Sequence, residues 1–79
     1  MSLTTPPHSI EAERSVLGAI LIDKDGMLQV AGMLVPDDFY DPGHGIIFSA
    51  MLDLYSRNRP IDSITVREII DDQKKLENI

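Results

Sequence analysis

Residues 6–23 read P-P-H-S-I-E-A-E-R-S-V-L-G-A-I-L-I-D, and this run decides the fold class. Pro6 and Pro7 keep the approach extended and out of helical geometry. Ser9 then stands where an N-cap belongs, its hydroxyl able to accept an orphan amide of the first turn. Glu11 and Glu13 follow at the positive end of the helix dipole, where carboxylates are favoured. At about 100° per residue, Ile10, Val16, Leu17, Ile20 and Leu21 share one broad side, with Ala12 and Ala19 at its edge. Glu11, Arg14 and Ser15 point elsewhere. The spacing predicts a helix from about Ser9 to Ile22, central to the domain and packed by more than one partner. Gly18 lies on its outer part, costs about 1 kcal/mol against Ala, and marks the expected crossing point of a neighbouring helix.

Residues 1–8 read as a flexible lead. After the first helix, Asp23-Lys24-Asp25-Gly26 has turn chemistry, with Asp able to cap the next helix. That second helix is expected over roughly Gly26 to Leu34, with Met27, Leu28, Val30, Ala31 and Leu34 inward and its end weakened by Gly32 and Pro36. Val35 to Tyr40 is a connector with one 3₁₀ turn, from which Phe39 and Tyr40 are expected to fold inward. Asp41-Pro42 signals a third helix. Gly43 and Gly45 loosen that start toward His44, and Asn58-Arg59-Pro60 stops the helix. Ile47, Met51, Leu54 and Tyr55 recur along it at helical spacing, with Phe48 flanking. Ile61 to Ser63 is read as extended. Thr65-Val66-Arg67-Glu68 has the form of a capping box, with Ile64 and Ile69 as a hydrophobic staple. The fourth helix runs to about Lys74 and buries Val66, Ile69 and Ile70. Ile10, Leu17, Leu21, Phe39, Phe48, Met51 and Leu54 form the expected core, with Met27, Met33 and Met51 as filler. Leu76 and Ile79 suggest a further apolar element, so a fragment of a longer protein is expected.

The fold class is therefore all-α: one compact, orthogonally packed helical domain of about four to five helices over residues 9–79. The chain has 79 residues and no Cys, so no disulfide or thiolate metal site supports the core. Two His residues are too few for a convincing structural zinc site. Seven basic against 13 acidic residues give a net charge of −6, which opposes strong binding to a phosphate backbone. The longest apolar run, Val16 to Ile22, is far too short to cross a bilayer. No secretory signal precedes Ser9, so a soluble, cytoplasmic location is expected.

No motif in the sequence demands catalysis. Gly43-His44-Gly45 lacks the third Gly of a dinucleotide fingerprint, and no P-loop occurs. Asp37, Asp38 and Asp41 cluster near His44 and could hold a cation as a small acidic hydrolase would, yet Asp in turns ordinarily bonds backbone. His8, Ser9 and Glu11 are sequence neighbours without triad spacing, and Asp71 to Lys75 reads as a solvated helix end. Catalytic, cofactor and metal residues are thus all expected to be none, which leaves a helical interaction module. A free-standing adaptor is the alternative within that class.

The opening run resembles that of the N-terminal domain of the bacterial replicative DNA helicases of DnaB type. Similar segments follow in order: V-P-D-D-F-Y (35–40), H-G-I-I-F-S-A-M (44–51), P-I-D-S-I-T-V (60–66) and L-E-N-I (76–79). The resemblance implies a non-catalytic assembly and docking domain. In that family a C-terminal motor domain binds ATP and Mg and unwinds DNA. The N-terminal domains form a collar as a trimer of dimers, largely through a helical hairpin, and dock the C-terminal domain of primase. This sequence stops before the hairpin. The resemblance places Glu11 near the primase-facing surface, and helical phase predicts it exposed.

Overall fold

The computed structural model describes residues 9–23 and 25–77, with the backbone alone at Glu77. The expected lead over residues 1–8, and Ile79, lie outside the described residues. Among those described, four α-helices and one 3₁₀ turn occur and no strand: α1 (Ile10–Ile22), α2 (Asp25–Val30), the 3₁₀ turn (Pro36–Asp38), α3 (Pro42–Ser56) and α4 (Ser63–Glu77). The all-α, four-to-five-helix expectation holds.

The organising helix is α3, not α1. It packs against α4, the 3₁₀ turn and α1, whereas α1 meets α3 and α2. Gly45, Phe48, Ala50, Met51 and Leu54 are all buried on α3, and at 100° per residue they cover an arc of about 220°. A stripe that broad needs partners on several sides. Phe48, expected in the core at the flank of the stripe, is fully buried there, while Tyr55, expected on the stripe, is exposed. Leu17, Ile20, Met27, Ile61, Val66 and Ile69 complete the buried core, with Val16, Leu34, Phe39, Ile47 and Ile70 packed partly against it. The Phe39 and Phe48 rings lie 5.0 Å apart at 38°, a tilted aromatic pair of the favourable kind.

On α1 the buried stripe is narrower than the sequence suggests. Leu17 and Ile20 are buried, but Ile10 (37 % exposed) and Leu21 (39 %) are not core. The described part of the fold leaves both partly uncovered. No helix crosses at Gly18 either, since a Cβ there would meet nothing within 4 Å. The second helix ends at Val30, and the Met33 and Leu34 amides close a turn onto the Val30 carbonyl at 2.9 and 3.0 Å. Met27 is its anchor. So short a helix buries one position, and its Leu28 (68 % exposed) faces outward; beyond its end Met33 (78 %) and Tyr40 are exposed as well.

Local capping accounts for the helix ends. Ser9 accepts from the Ala12 amide at 3.1 Å, as expected. Asp23 Oδ1 accepts from the Asp25 amide at 3.0 Å and starts α2. Asp41 Oδ1 accepts from the Gly43 amide at 2.8 Å and lets α3 begin at Pro42 despite its two glycines. At the far end Asn58 is left-handed (φ 56°). Its amide bonds the Tyr55 carbonyl at 3.0 Å and the Arg59 amide bonds that of Leu54 at 2.9 Å, the Schellman pattern.

α4 starts two residues before the expected Thr65 cap. Asp62 Oδ1 accepts from the Ile64 and Thr65 amides at 2.8 and 2.9 Å, and Thr65 Oγ1 accepts from the Asp62 amide at 3.0 Å. The reciprocal box is therefore Asp62 with Thr65, not Thr65 with Glu68. Ile64 is exposed, so the expected staple is absent. Ile61 and Val66, buried at the positions before and four after the cap, take its place. Leu76 belongs to α4 and is exposed on it.

Gly45 marks the closest approach among the glycines. A Cβ there would stand 2.8 Å from the Pro36 carbonyl oxygen, which belongs to backbone that cannot simply rotate away. Two helical glycines thus carry opposite expectations. Gly18→Ala gains up to about 1 kcal/mol of helix propensity in open space. Gly45→Ala gains the same, but displacing the 3₁₀ turn costs about 1–3 kcal/mol, for a net loss of about 1 kcal/mol. Thermal melts of the two variants check the signs.

Candidate functional site

Two surfaces of α1 bear on function. The outer one carries Glu11, Arg14 and Ser15, all exposed and lining a shallow depression. Helical phase sets them there: at 100° per residue the three cluster on the side away from Leu17 and Ile20, the two residues that α1 buries. Glu11 therefore lies where the sequence predicts it. It presents a carboxylate free of the core, beside a guanidinium and a hydroxyl, which is the chemistry of a polar protein contact rather than of a reaction centre.

The inner surface is organised by Glu13, for which the sequence suggested only a dipole effect. Its Oε2 accepts from the Tyr40 amide at 2.6 Å, and its Oε1 accepts from the Asp41 amide at 3.3 Å. His44 Nδ1 lies 2.8 Å from Oε1. A carboxylate only accepts, so this imidazole nitrogen carries the proton and donates. Both side chains are 13 % exposed. The His44 hydrogen bond, foremost, and then the Tyr40 and Asp41 amides hold the Glu13 carboxyl below its ordinary value of 4.5, against desolvation that would raise it. One side chain of α1 thereby fixes the last residues of the connector and the first turn of α3. A signal existed: Glu13 falls four and seven residues before Leu17 and Ile20, on the buried stripe itself. A carboxylate at such a position needs partners.

The acidic cluster suggested by the sequence does not assemble. Asp38 Oδ2 accepts from the Val35 amide at 2.9 Å and Asp41 caps α3, while Asp37 is exposed. His44 turns to Glu13. Among the described residues no three His, Asp or Glu side chains gather as a metal site requires. Asp38 and Asp41 thus bond backbone, the turn-building role that the sequence suggests for them. No helix among the described residues is long and apolar enough to cross a membrane.

Comparisons with known proteins fall on this same fold. Residues 5–79 match the family model described as DnaB-like helicase N terminal domain. The chain is 42 % identical over 77 residues to the replicative DNA helicase DnaB of Buchnera aphidicola subsp. Schizaphis graminum, covering 98 % of this chain and 17 % of that protein. It is 42 % identical over 74 residues to that of Geobacillus stearothermophilus, covering 94 % and 16 %. The crystal structure of the N-terminal domain of DnaB helicase from Mycobacterium tuberculosis superposes with a TM-score of 0.82 at 43 % identity. That likeness covers 94 % of this chain and 51 % of the other. The chain thus spans about one-sixth of the length of these curated relatives.

Proposed function

The chain belongs to the family of DnaB-like helicase N-terminal domains, and from that premise we propose that it is the non-catalytic docking and assembly part of a hexameric replicative DNA helicase. In this reading ATP hydrolysis and unwinding fall to a motor region outside this sequence, and the protein works in the cytoplasm. The likeness along the whole described fold carries the proposal. The partners are other copies of the helicase and the C-terminal domain of primase. The exposed α1 face with Glu11, Arg14 and Ser15 supplies a contact for the latter. The net charge of −6 favours a protein partner over direct contact with duplex DNA.

Calorimetric titration with the primase C-terminal domain tests this, using the protein extended through the family's hairpin. Saturable binding is expected. Glu11→Lys, an exposed reversal that leaves the core intact, should weaken it by about tenfold. No binding by the unaltered protein in any oligomeric state would remove primase as the partner. Equal binding by the variant would remove Glu11 from the contact.

A further inference from the structure

A groove of about 190 Å³ runs between the first half of α1 and the segment around the 3₁₀ turn. Ala12, Val16, Leu34 and Phe39 form its apolar walls, and among the described residues the only charged ones lining it are Glu13 and Asp38. Ala12 is exposed and the other three walls are half-buried, so the core leaves this surface partly uncovered. The volume is below the roughly 300–1,000 Å³ of small-molecule sites. It is close to the roughly 150 Å³ that accepts a benzene ring. One large apolar side chain fills it.

The charge around the groove is of one sign. Among the described residues no Lys or Arg lines it, and the nearest cation along α1, Arg14, lines the separate depression with Glu11 and Ser15. Asp38 uses Oδ2 for the Val35 amide, and the exposed Asp37 adjoins it. A second copy of this chain, with 13 acidic and 7 basic residues, brings the wrong charge. We infer that the groove docks a cationic segment of another protein, which inserts a single Leu-, Ile- or Phe-type side chain among Ala12, Val16, Leu34 and Phe39. Lys or Arg flanking that anchor faces Asp38 and Glu13. This surface is distinct from the Glu11 face, so failure of primase binding leaves it standing.

Amide NMR titration of the isotope-labelled chain tests the inference with two synthetic probes. One is a helical peptide of about 15 residues, with Leu along one face and Lys elsewhere. The other replaces every Lys by Glu. The Lys peptide should shift the Ala12, Val16, Leu34 and Phe39 amides saturably, with a Kd of about 0.1–1 mM for one anchor. The Glu peptide should not saturate. Ala12→Leu fills the groove from an exposed helical position and should weaken binding at least about tenfold. Ser15→Leu, on the other face, should not. Should Ala12→Leu fail to fold, Asp38→Asn keeps the acceptor for Val35, removes the charge, and should weaken the Lys peptide about threefold. Equal binding of the two peptides, shifts centred elsewhere, or insensitivity to these variants would overturn the inference. So would absence of saturation at millimolar peptide, or groove shifts that grow with concentration of the chain alone.

Discussion

Phe48→Ala is expected to abolish the cooperative thermal transition of this domain. Phe48 is fully buried on the helix that packs against α4, the 3₁₀ turn and α1, and its ring stacks at a tilt on Phe39. Truncating a buried Phe costs about 3–5 kcal/mol from lost transfer energy and the void left behind. The aromatic pair adds about 0.5–1.5 kcal/mol. A single core of this size rarely supplies more than about 3–5 kcal/mol in total, so the loss matches the whole reserve. Far-ultraviolet circular dichroism, which follows helix content, should show a low, non-cooperative melt. Phe48→Leu keeps most of the volume and should retain a transition at lower temperature. A sharp melt for Phe48→Ala near that of the unaltered chain would mean that α3 is not the organising helix.

Glu13→Ala is expected to lower the melting temperature by about 10 °C, near twice the effect of Gly45→Ala. The substitution strips partners from the Tyr40 and Asp41 amides and from His44 at once. Glu13→Gln is the sharper test, because it keeps the shape and removes the charge. The pH dependence has a definite sign. The folded carboxyl titrates below its ordinary value of 4.5, so its stabilisation is fully present above about pH 4.5 and is lost as pH falls through the folded value. Asp62 behaves likewise below its ordinary 3.8, chiefly through the Thr65 amide. The melting temperature of the unaltered chain should therefore fall on acidification below about pH 4.5, and further below about pH 3.8, as each carboxyl in turn takes a proton. Glu13→Gln should start lower and drop less, keeping only the Asp62 share. A parallel pair of curves would show that Glu13 is not held in its charged form by the fold.

Helix positions were legible in the sequence because their signals are local. Ser9 and Asp41 announced caps that the structure contains, and Asn58-Arg59-Pro60 announced a stop. Which apolar residues are buried was less legible, because burial depends on how many neighbours an element receives. Ile10 and Leu21 carry the right periodicity, yet the described fold leaves them partly uncovered, whereas Phe48, expected in the core, is buried on α3 with its partners on several sides. At the start of α4 two capping boxes overlapped in sequence. Asp62 prevailed, since its carboxylate takes two amides while Thr65 answers from the other side. The candidate surface was half legible: exposure of Glu11 follows from helical phase alone. The grip of Glu13 on Tyr40, Asp41 and His44 joins positions remote along the chain, which no periodicity encodes.

The corner between α3 and α4, with left-handed Asn58 at one end and the Asp62–Thr65 box at the other, separates two kinds of folding cost. Its bonds all join residues a few positions apart, so the ring the chain must close there is small and its entropy loss slight. Docking α1 closes a far larger ring, through the Glu13 carboxylate together with Leu17 and Ile20 in the core. The contacts of highest sequence separation therefore belong to the N-terminal helix, while the corner between α3 and α4 is held by local bonds.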